Sequence, residues 1–159
     1  MSNGYQRFVE RIARTPLGAR IFIPVATAVD RFVIRASGGR LTSGVGTTWG
    51  GKICLLTTTG AKTGKRRTVP LLVTEVGDDV IVIASQGGAP RSPAWYHNLK
   101  KNPQCEIELR GERTRRRARE AAAEERDRLW AAAREIYPGY DEYQARTTRR
   151  IPVMILERA

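Results

Sequence analysis

Histidine and cysteine are nearly missing from this sequence: among 159 residues there are one His and two Cys. Cys54 and Cys105 stand apart with no CxxC pattern. They provide neither a disulfide framework nor a thiolate cluster, and with His97 as the sole imidazole a zinc centre is not expected. No catalytic triad can be assembled, because His97 lies among Trp95, Tyr96 and Asn98 without a nucleophile beside it. It reads as a surface helix residue. Acidic residues are also few, 16 against 28 Lys and Arg, and fall mostly in charged helices or turns, so a paired-carboxylate site is unsupported. The longest apolar stretch, residues 21–29, is interrupted by Pro24 and is far shorter than the roughly 20 residues that span a bilayer. No small-residue cleavage pattern follows an apolar core. No secretory leader or membrane crossing is therefore expected, and a reducing cytoplasm is the expected compartment. Internal repeats, βαβ alternation and GxGxxG are all lacking, which excludes a dinucleotide-binding Rossmann unit.

What the chain has is positive charge: a formal net charge of +12 and a pI near 10.6. That balance favours nucleic acid, an acidic membrane surface or a small polyanion. The charge is densest in residues 55–70, where an apolar strand-like run ends at Gly60, a turn carries Lys62, Lys65, Arg66 and Arg67, and a second apolar run begins at Val69. Gly60 and Gly64 relieve the turn of side-chain bulk and permit positive φ, so that backbone N–H groups could converge on an anion. Two readings follow: a solvated basic hairpin loop, or a seat for a phosphorylated ligand lined by Lys62 and Arg67. It is not a nucleoside triphosphatase loop. Only three residues separate the glycines, Arg66 stands where Ser or Thr is needed, and strand signals follow where a helix should start.

Residues 5–35 read as helical, with Phe8, Ile12, Ile21, Val25, Val29, Phe32 and Val33 at three- and four-residue steps and arginines mostly elsewhere. Thr15-Pro16 is a start signal for a second helix. Such a basic amphipathic segment either covers the core or lies on an anionic bilayer at the inner face of the plasma membrane. Residues 37–51, rich in Gly, Ser and Thr, read as a linker or lid. Strands are expected over 52–59, 68–76, 80–84, 105–109, 114–119 (with poor alternation) and 151–156, and helices over 93–101 and 124–137. Pro138-Gly139 should end the last helix, and Pro152 should mark a strand edge or end. Short turns joining most strands predict an α+β fold: a mainly antiparallel small barrel with flanking helices, over 46–159, after an N-terminal helical segment and linker over 1–45. With 41% hydrophobic residues, one domain with a real core is expected.

Two further clusters carry chemistry. Ser85-Gln86-Gly87-Gly88 follows the third expected strand directly, and its glycine pair lets backbone approach a flat ligand on which Trp95 and Tyr96 could stack. Tyr137, Tyr140 and Tyr143 recur at three-residue steps around Pro138-Gly139. They are either core aromatics at a helix end or a phenol rim over a pocket. A phenol, with pKa near 10, is a weak acid suited to protonating a strongly basic species left after hydride transfer.

On Leu55–Gly64 with Arg67, on residues 84–88, on Trp95-Tyr96-His97-Asn98-Leu99, on Tyr137-Pro138-Gly139-Tyr140-Asp141-Glu142-Tyr143 and on the closing run 151–156, the chain resembles the actinobacterial deazaflavin-dependent nitroreductase-like proteins. These are a branch of the split β-barrel flavoprotein superfamily. The resemblance covers about residues 50–157. It implies coenzyme F420 as cofactor, with a hydride delivered from its reduced deazaflavin ring to a small organic acceptor. By that resemblance, Lys62 and Arg67 hold the anionic phosphate and oligoglutamate tail. Ala61, Thr63, Thr68 and Val69 supply backbone and edge contacts. Ile83, Ala84, Ser85 and Gln86, with Ala94, Trp95, Tyr96, His97 and Asn98, line the ring and its side chain. Tyr140 would face ring and acceptor as the proton donor, with Ser85, Tyr137 and Tyr143 completing the candidate catalytic set and the last two walling the acceptor side. Gln86 departs from nitro-reducing members that have Lys there. An amide lacks that charge, which leaves quinone, enone and nitro acceptors open. The rivals are an FMN- or haem-binding split barrel and, through the arginine run 110–119, a nucleic-acid module. Against the latter, no helix-turn-helix, RRM or zinc pattern is present and aromatics are not interleaved with that run, so no nucleic acid is expected. A monomer or homodimer is expected.

Overall fold

A computed structural model describes residues 52–159; the segment 1–51, with the expected amphipathic helices and linker, lies outside them. Six strands are formed: β1 (Lys52–Thr59), β2 (Arg66–Val76), β3 (Asp79–Ile83), β4 (Gln104–Leu109), β5 (Glu112–Glu120) and β6 (Val153–Arg158). Helix α1 (Ala94–Lys101) joins β3 to β4, and α2 (Ala123–Ile136) and α3 (Gly139–Ala145) lie between β5 and β6. A 3-10 turn spans Gln86–Gly88. Every pairing is antiparallel, and the sheet closes in the order β1-β2-β3-β6-β5-β4. The expected small antiparallel barrel is the fold.

Strand alternation explains the interior. Cys54 and Leu56 on β1, Val80 and Val82 on β3, Ile107 on β4 and Met154 and Leu156 on β6 face inward, and α1 adds Trp95 and Leu99 to the same cluster. The other faces of β3 and β6, with Ile81, Ile83, Val153 and Ile155, are covered by Leu129 and Ala133 of α2 and Tyr140 of α3. Both strands are thus buried on two sides, which is why they read as unbroken apolar runs rather than alternating ones.

Strand β5 is longer than its expected range of 114–119 and alternates poorly for a specific reason. Its inward row contains Arg116, buried, whose guanidinium donates to Asp78 O (2.6 Å), Thr114 Oγ1 (3.2 Å) and Leu156 O (3.4 Å). Two of the outward arginines meet carboxylates instead: Arg113 with Glu108 (2.7 Å), and Arg119 with both Glu125 (2.7 Å) and Glu157 (2.6 Å). Pro138-Gly139 ends α2 as expected but also opens α3, which the sequence reading missed. Pro138 has helical angles at the N-cap, and Asp141 and Glu142 occupy the first turn, where acidic side chains complement the helix dipole. The last strand begins at Val153 rather than 151. Pro152 precedes it and accepts the Ala84 N–H (3.0 Å), so it marks an end and not an edge. Similarly, β2 begins at Arg66 rather than 68 and β3 ends at Ile83.

Candidate active site

The cationic turn between β1 and β2 is held closed by Gly60 N–H to Lys65 O and Gly64 N–H to Gly60 O, both 2.8 Å. Gly64 has φ +66°, where a side chain would be strained, and a Cβ on Gly60 would lie 2.7 Å from Thr63 Oγ1 and 3.1 Å from Lys65 O, so both positions favour glycine. Asn98 of α1 seats this turn on the barrel. Its Oδ1 accepts the Ala61 N–H (2.9 Å) and its Nδ2 donates to Thr58 Oγ1 (3.0 Å), while Lys101 Nζ donates to Ala61 O (2.8 Å). Asn98 is buried, and its amide is engaged within the protein rather than open to a ligand.

Lys62, Lys65, Arg66 and Arg67 are exposed. Arg66 pairs with Glu106 (3.3 Å); the other three have no carboxylate partner among the described residues. Arg67 is opposite Thr58 in the β1–β2 register and so shares its inward-facing side, at the barrel mouth that α1 covers. Val69 follows on the same side, against the inner core. Thr68 is on the outer face, hydrogen-bonded to Thr57 (2.9 Å), and Thr63 is exposed at the turn.

At the end of β3, Ile83 is buried in the outer cluster; beyond it Ala84 is buried in the inner one, and Ser85 is also buried. Gln86, Gly87 and Gly88 take positive φ of 48°, 66° and 80° in succession. A Cβ on Gly88 would lie 2.6 Å from Tyr143 O and 2.9 Å from Arg146 Cβ, so this loop lies tight against α3. On α1, Ala94 and His97 are exposed, Trp95 is buried and Tyr96 is half-buried. Tyr96 Oη donates to Glu120 Oε2 (2.9 Å), to which Lys100 also donates (3.0 Å). Burial, reinforced by this bond, raises the Tyr96 pKa.

The three tyrosines form one cluster. Tyr137 closes α2, and Gly139 leaves room for its ring: a Cβ there would collide with it. Tyr137 and Tyr143 hydroxyls share a hydrogen bond (2.9 Å), and the Tyr140 ring stands edge-on to Tyr137 at 5.1 Å between centroids. Tyr140 is 6% exposed. Burial foremost, and then Tyr143, raises the pKa of both Tyr137 and Tyr140, so both keep their protons at neutral pH. Asp141 fixes α3 to α2 by accepting from Trp130 Nε1 (2.9 Å) and Arg134 (3.3 Å).

Sequence reasoning missed Arg149. Its guanidinium donates to Ala84 O (3.0 Å), Ser85 O (2.8 Å), Ala89 O (2.9 Å) and Ser92 Oγ (3.3 Å). Nothing in the sequence distinguishes it from the chain's other cations.

Pairwise contacts link these stretches: the cationic turn touches α1, the loop leading to α1 abuts α3, and α3 carries Tyr140 and Tyr143. Cys54 and Cys105 take no part: burial pushes their thiols up to about 12 and about 11.

A family model for F420H(2)-dependent quinone reductases matches residues 31–158. An F420H(2)-dependent quinone reductase of Mycobacterium tuberculosis (strain ATCC 25618 / H37Rv) is 46% identical over 107 residues, covering 65% of this chain and 72% of that protein. The solved structure of an F420-H2 dependent reductase, FDR-A, is 47% identical with a TM-score of 0.63, covering 67% and 94%. A domain-swapped dimer with the same identity and TM-score covers 67% and 80%. The haem storage protein HutZ of Vibrio cholerae, 15% identical at a TM-score of 0.52 over 68% and 82%, shares the fold alone. The chain belongs to the F420H(2)-dependent quinone reductase family, oxidoreductases whose cofactor is reduced coenzyme F420.

Proposed function

We propose that the protein reduces a quinone with a hydride from reduced F420, and that the β1–β2 turn grips the anionic tail of this cofactor while Tyr140 supplies the second proton. The observation that carries this reading is the turn itself: three exposed cations without carboxylate partners among the described residues, on a backbone that Asn98 fixes to α1. Like charges crowded on a rigid turn repel one another, and an oligoanionic tail offsets that repulsion. The donor set fits the cofactor: Lys62 and Arg67 for phosphate and glutamates, and the Ser85 and Gln86 N–H groups, which have no acceptor among the described residues, for the polar edge of a flat ring, whereas Trp95 is buried in the core and does not stack on it.

When bound, the reduced deazaflavin supplies the hydride. The chain's residues do the rest. The aromatic cluster of α2 and α3 excludes water from one side of the acceptor. Tyr140, held protonated by burial, donates only to a strongly basic oxygen, so its proton follows the hydride rather than preceding it. Gln86 provides no charge, which favours quinone over nitro compounds as acceptor; enones are the next class to assay.

Replacing Lys62 and Arg67 together with Ala should weaken F420 binding by about 1–2 kcal/mol, roughly 5- to 30-fold, and more for longer oligoglutamate tails. If the unaltered protein binds long and short tails equally, the turn does not hold the tail. Resemblance to a domain-swapped dimer supports a homodimer, which light scattering tests. Among the described residues no helix is long and apolar enough to cross a membrane. The basic amphipathic pattern of residues 5–35 supports peripheral attachment; sedimentation with anionic but not neutral liposomes is the expected result.

A further inference from the structure

The end of the barrel remote from the cationic turn has a cavity of its own, about 240 Å³, framed by the β2–β3 and β4–β5 turns. That is many times the roughly 10–15 Å³ that one water needs. Strand β2 runs its full 11 residues between the cationic turn and this mouth, so the cavity is separate from the candidate active site. Arg110, at the β4–β5 turn, pairs with Glu75 of β2 (3.1 Å) and ties the two together across the mouth.

Arg116 reaches the cavity from inside the barrel. It is 8% exposed, and its guanidinium carries five N–H donors. Nε is spent on Thr114 and Nη1 on the Asp78 and Leu156 carbonyls, which leaves both N–H groups of Nη2 without an acceptor among the described residues. No buried side-chain nitrogen among those residues lacks a partner, so Nη2 is not sealed in protein and opens into the cavity. Arg158 stands directly opposite Arg116 in the β5–β6 register and lines the same cavity. Like charges directly opposite on a sheet repel, and neither arginine has a carboxylate partner among the described residues. Carboxylates are nevertheless on the wall. Asp78, Asp79 and Glu112 line the cavity and form no ion pair among the described residues. Both signs are thus present and held apart. A bare anion drawn by the arginines is repelled by three carboxylates, and a bare cation meets the reverse. A molecule carrying both charges a short distance apart satisfies the two sets together.

We propose that this mouth binds a small zwitterion, a free α-amino acid, with its carboxylate on Arg116 Nη2 and Arg158 and its ammonium toward Asp79 and Glu112. Hydrogen bonds between a guanidinium and a carboxylate are charge-assisted on both sides and among the stronger ones. Arg116 is already fixed by three bonds, so little side-chain freedom is lost when the ligand arrives. The site goes beyond the reductase reading and does not depend on it, because none of its residues belongs to the candidate active site.

The probes are L-alanine, acetate and methylammonium, titrated into the full chain at neutral pH and followed by amide NMR. Alanine should give saturable shifts at Gly77, Asp78 and Thr114 with a Kd of about 1–10 mM, a scale suited to so few heavy atoms, and none at Ala61 or Gly88. Each missing charge should cost about 10-fold or more, so acetate and methylammonium should both bind correspondingly more weakly. Arg116→Met should weaken alanine binding about 10-fold or more. Arg158→Ala, on exposed surface, guards against an Arg116 variant that misfolds and should weaken it about threefold. Asp79→Asn combined with Glu112→Gln should act oppositely on two probes: alanine binds more weakly, acetate more tightly, because repulsion is removed. F420 should leave the alanine shifts in place, since the two sites lie at opposite ends of the barrel. Acetate binding as tightly as alanine would make this a plain anion site and overturn the proposal. So would displacement of alanine by F420, indifference to Arg158→Ala, or no saturable shift by about 100 mM, where a site of that Kd is nearly filled.

Discussion

Replacing Asn98 with Ala separates the stability of the barrel from the placement of its cationic turn. The side chain makes two hydrogen bonds, to Ala61 N–H and to Thr58 Oγ1, and Thr58 is 2% exposed. Each bond contributes about 0.5–1.5 kcal/mol net, and a stranded buried partner adds about 1–3. Because Ala61 is only half-buried and water can reach it, the total should be about 2–3 kcal/mol, a fall in Tm of about 4–12 °C for a chain of this size. The turn's internal bonds at Gly60, Gly64 and Lys65 survive the substitution, so it stays a turn but loses its fixed position. Ordering it again on binding should cost about 1–2 kcal/mol, or roughly 5- to 30-fold in the Kd for F420. Thr58→Val is the control: it removes one bond, keeps Ala61 anchored, and should cost about 1 kcal/mol with F420 affinity nearly unchanged. The assays are thermal unfolding and fluorescence titration with F420 of defined tail length. An Asn98→Ala protein that melts as early as predicted yet binds F420 like the unaltered one would refute the reasoning, for the turn's position would then be irrelevant to the tail.

Tyr140→Phe removes only a hydroxyl and should lower quinone turnover about 100-fold with little change in F420 affinity; unchanged turnover would assign the proton to the Tyr137–Tyr143 pair or to water. Gly88→Ala should destabilise by more than about 2 kcal/mol, because positive φ combines with contacts of 2.6 and 2.9 Å against α3. Gly64→Ala has similar φ but nothing within 4 Å, so about 1–2 kcal/mol is expected; equal costs in urea unfolding would contradict the packing argument. Arg119, by its bidentate bond, lowers the Glu125 pKa from an ordinary value of about 4.3 to about 2. A depressed carboxylate stabilises the fold fully above its unfolded pKa, and that contribution is lost as pH falls through about 2. Arg119→Gln should therefore flatten the decline of the urea midpoint between about pH 4.3 and about pH 2; an unchanged slope would show that the pair adds nothing.

How far the sequence could be read depended on the range of the forces involved. Strand β1 and helices α1 and α2 are set by local period and punctuation, and their expected limits agree with the observed ones to within a residue or so. The role of Arg116 was hidden because one inward cation breaks the alternation of β5, and its acceptors come from residues 38 and 40 positions away. Helix α3 was obscured by a Pro-Gly pair that ends one helix and starts the next. The chemical stretches at 60–67, 85–88 and 137–143 were legible as glycines, cations and phenols. Which side chain holds which stretch was not. Asn98 bonds Ala61 across 37 positions and Arg149 bonds Ser85 across 64, and no window of sequence contains either pair.

Those two contacts answer the same physical problem. A closed barrel satisfies its own backbone along the strands, but the turns at its mouth leave the ladder, and their polar groups need other partners. At both turns buried or half-buried polar side chains from distant elements supply them, and the backbone groups they consume decide what is left to face outward. Asn98 and Lys101 occupy the N–H and C=O of Ala61, so what the first turn presents outward is side-chain charge. Arg149 occupies carbonyls only, so what the second turn presents outward is N–H. What each turn presents to solvent, side-chain charge at the first and backbone N–H at the second, thus follows from which backbone groups its anchoring side chains consume.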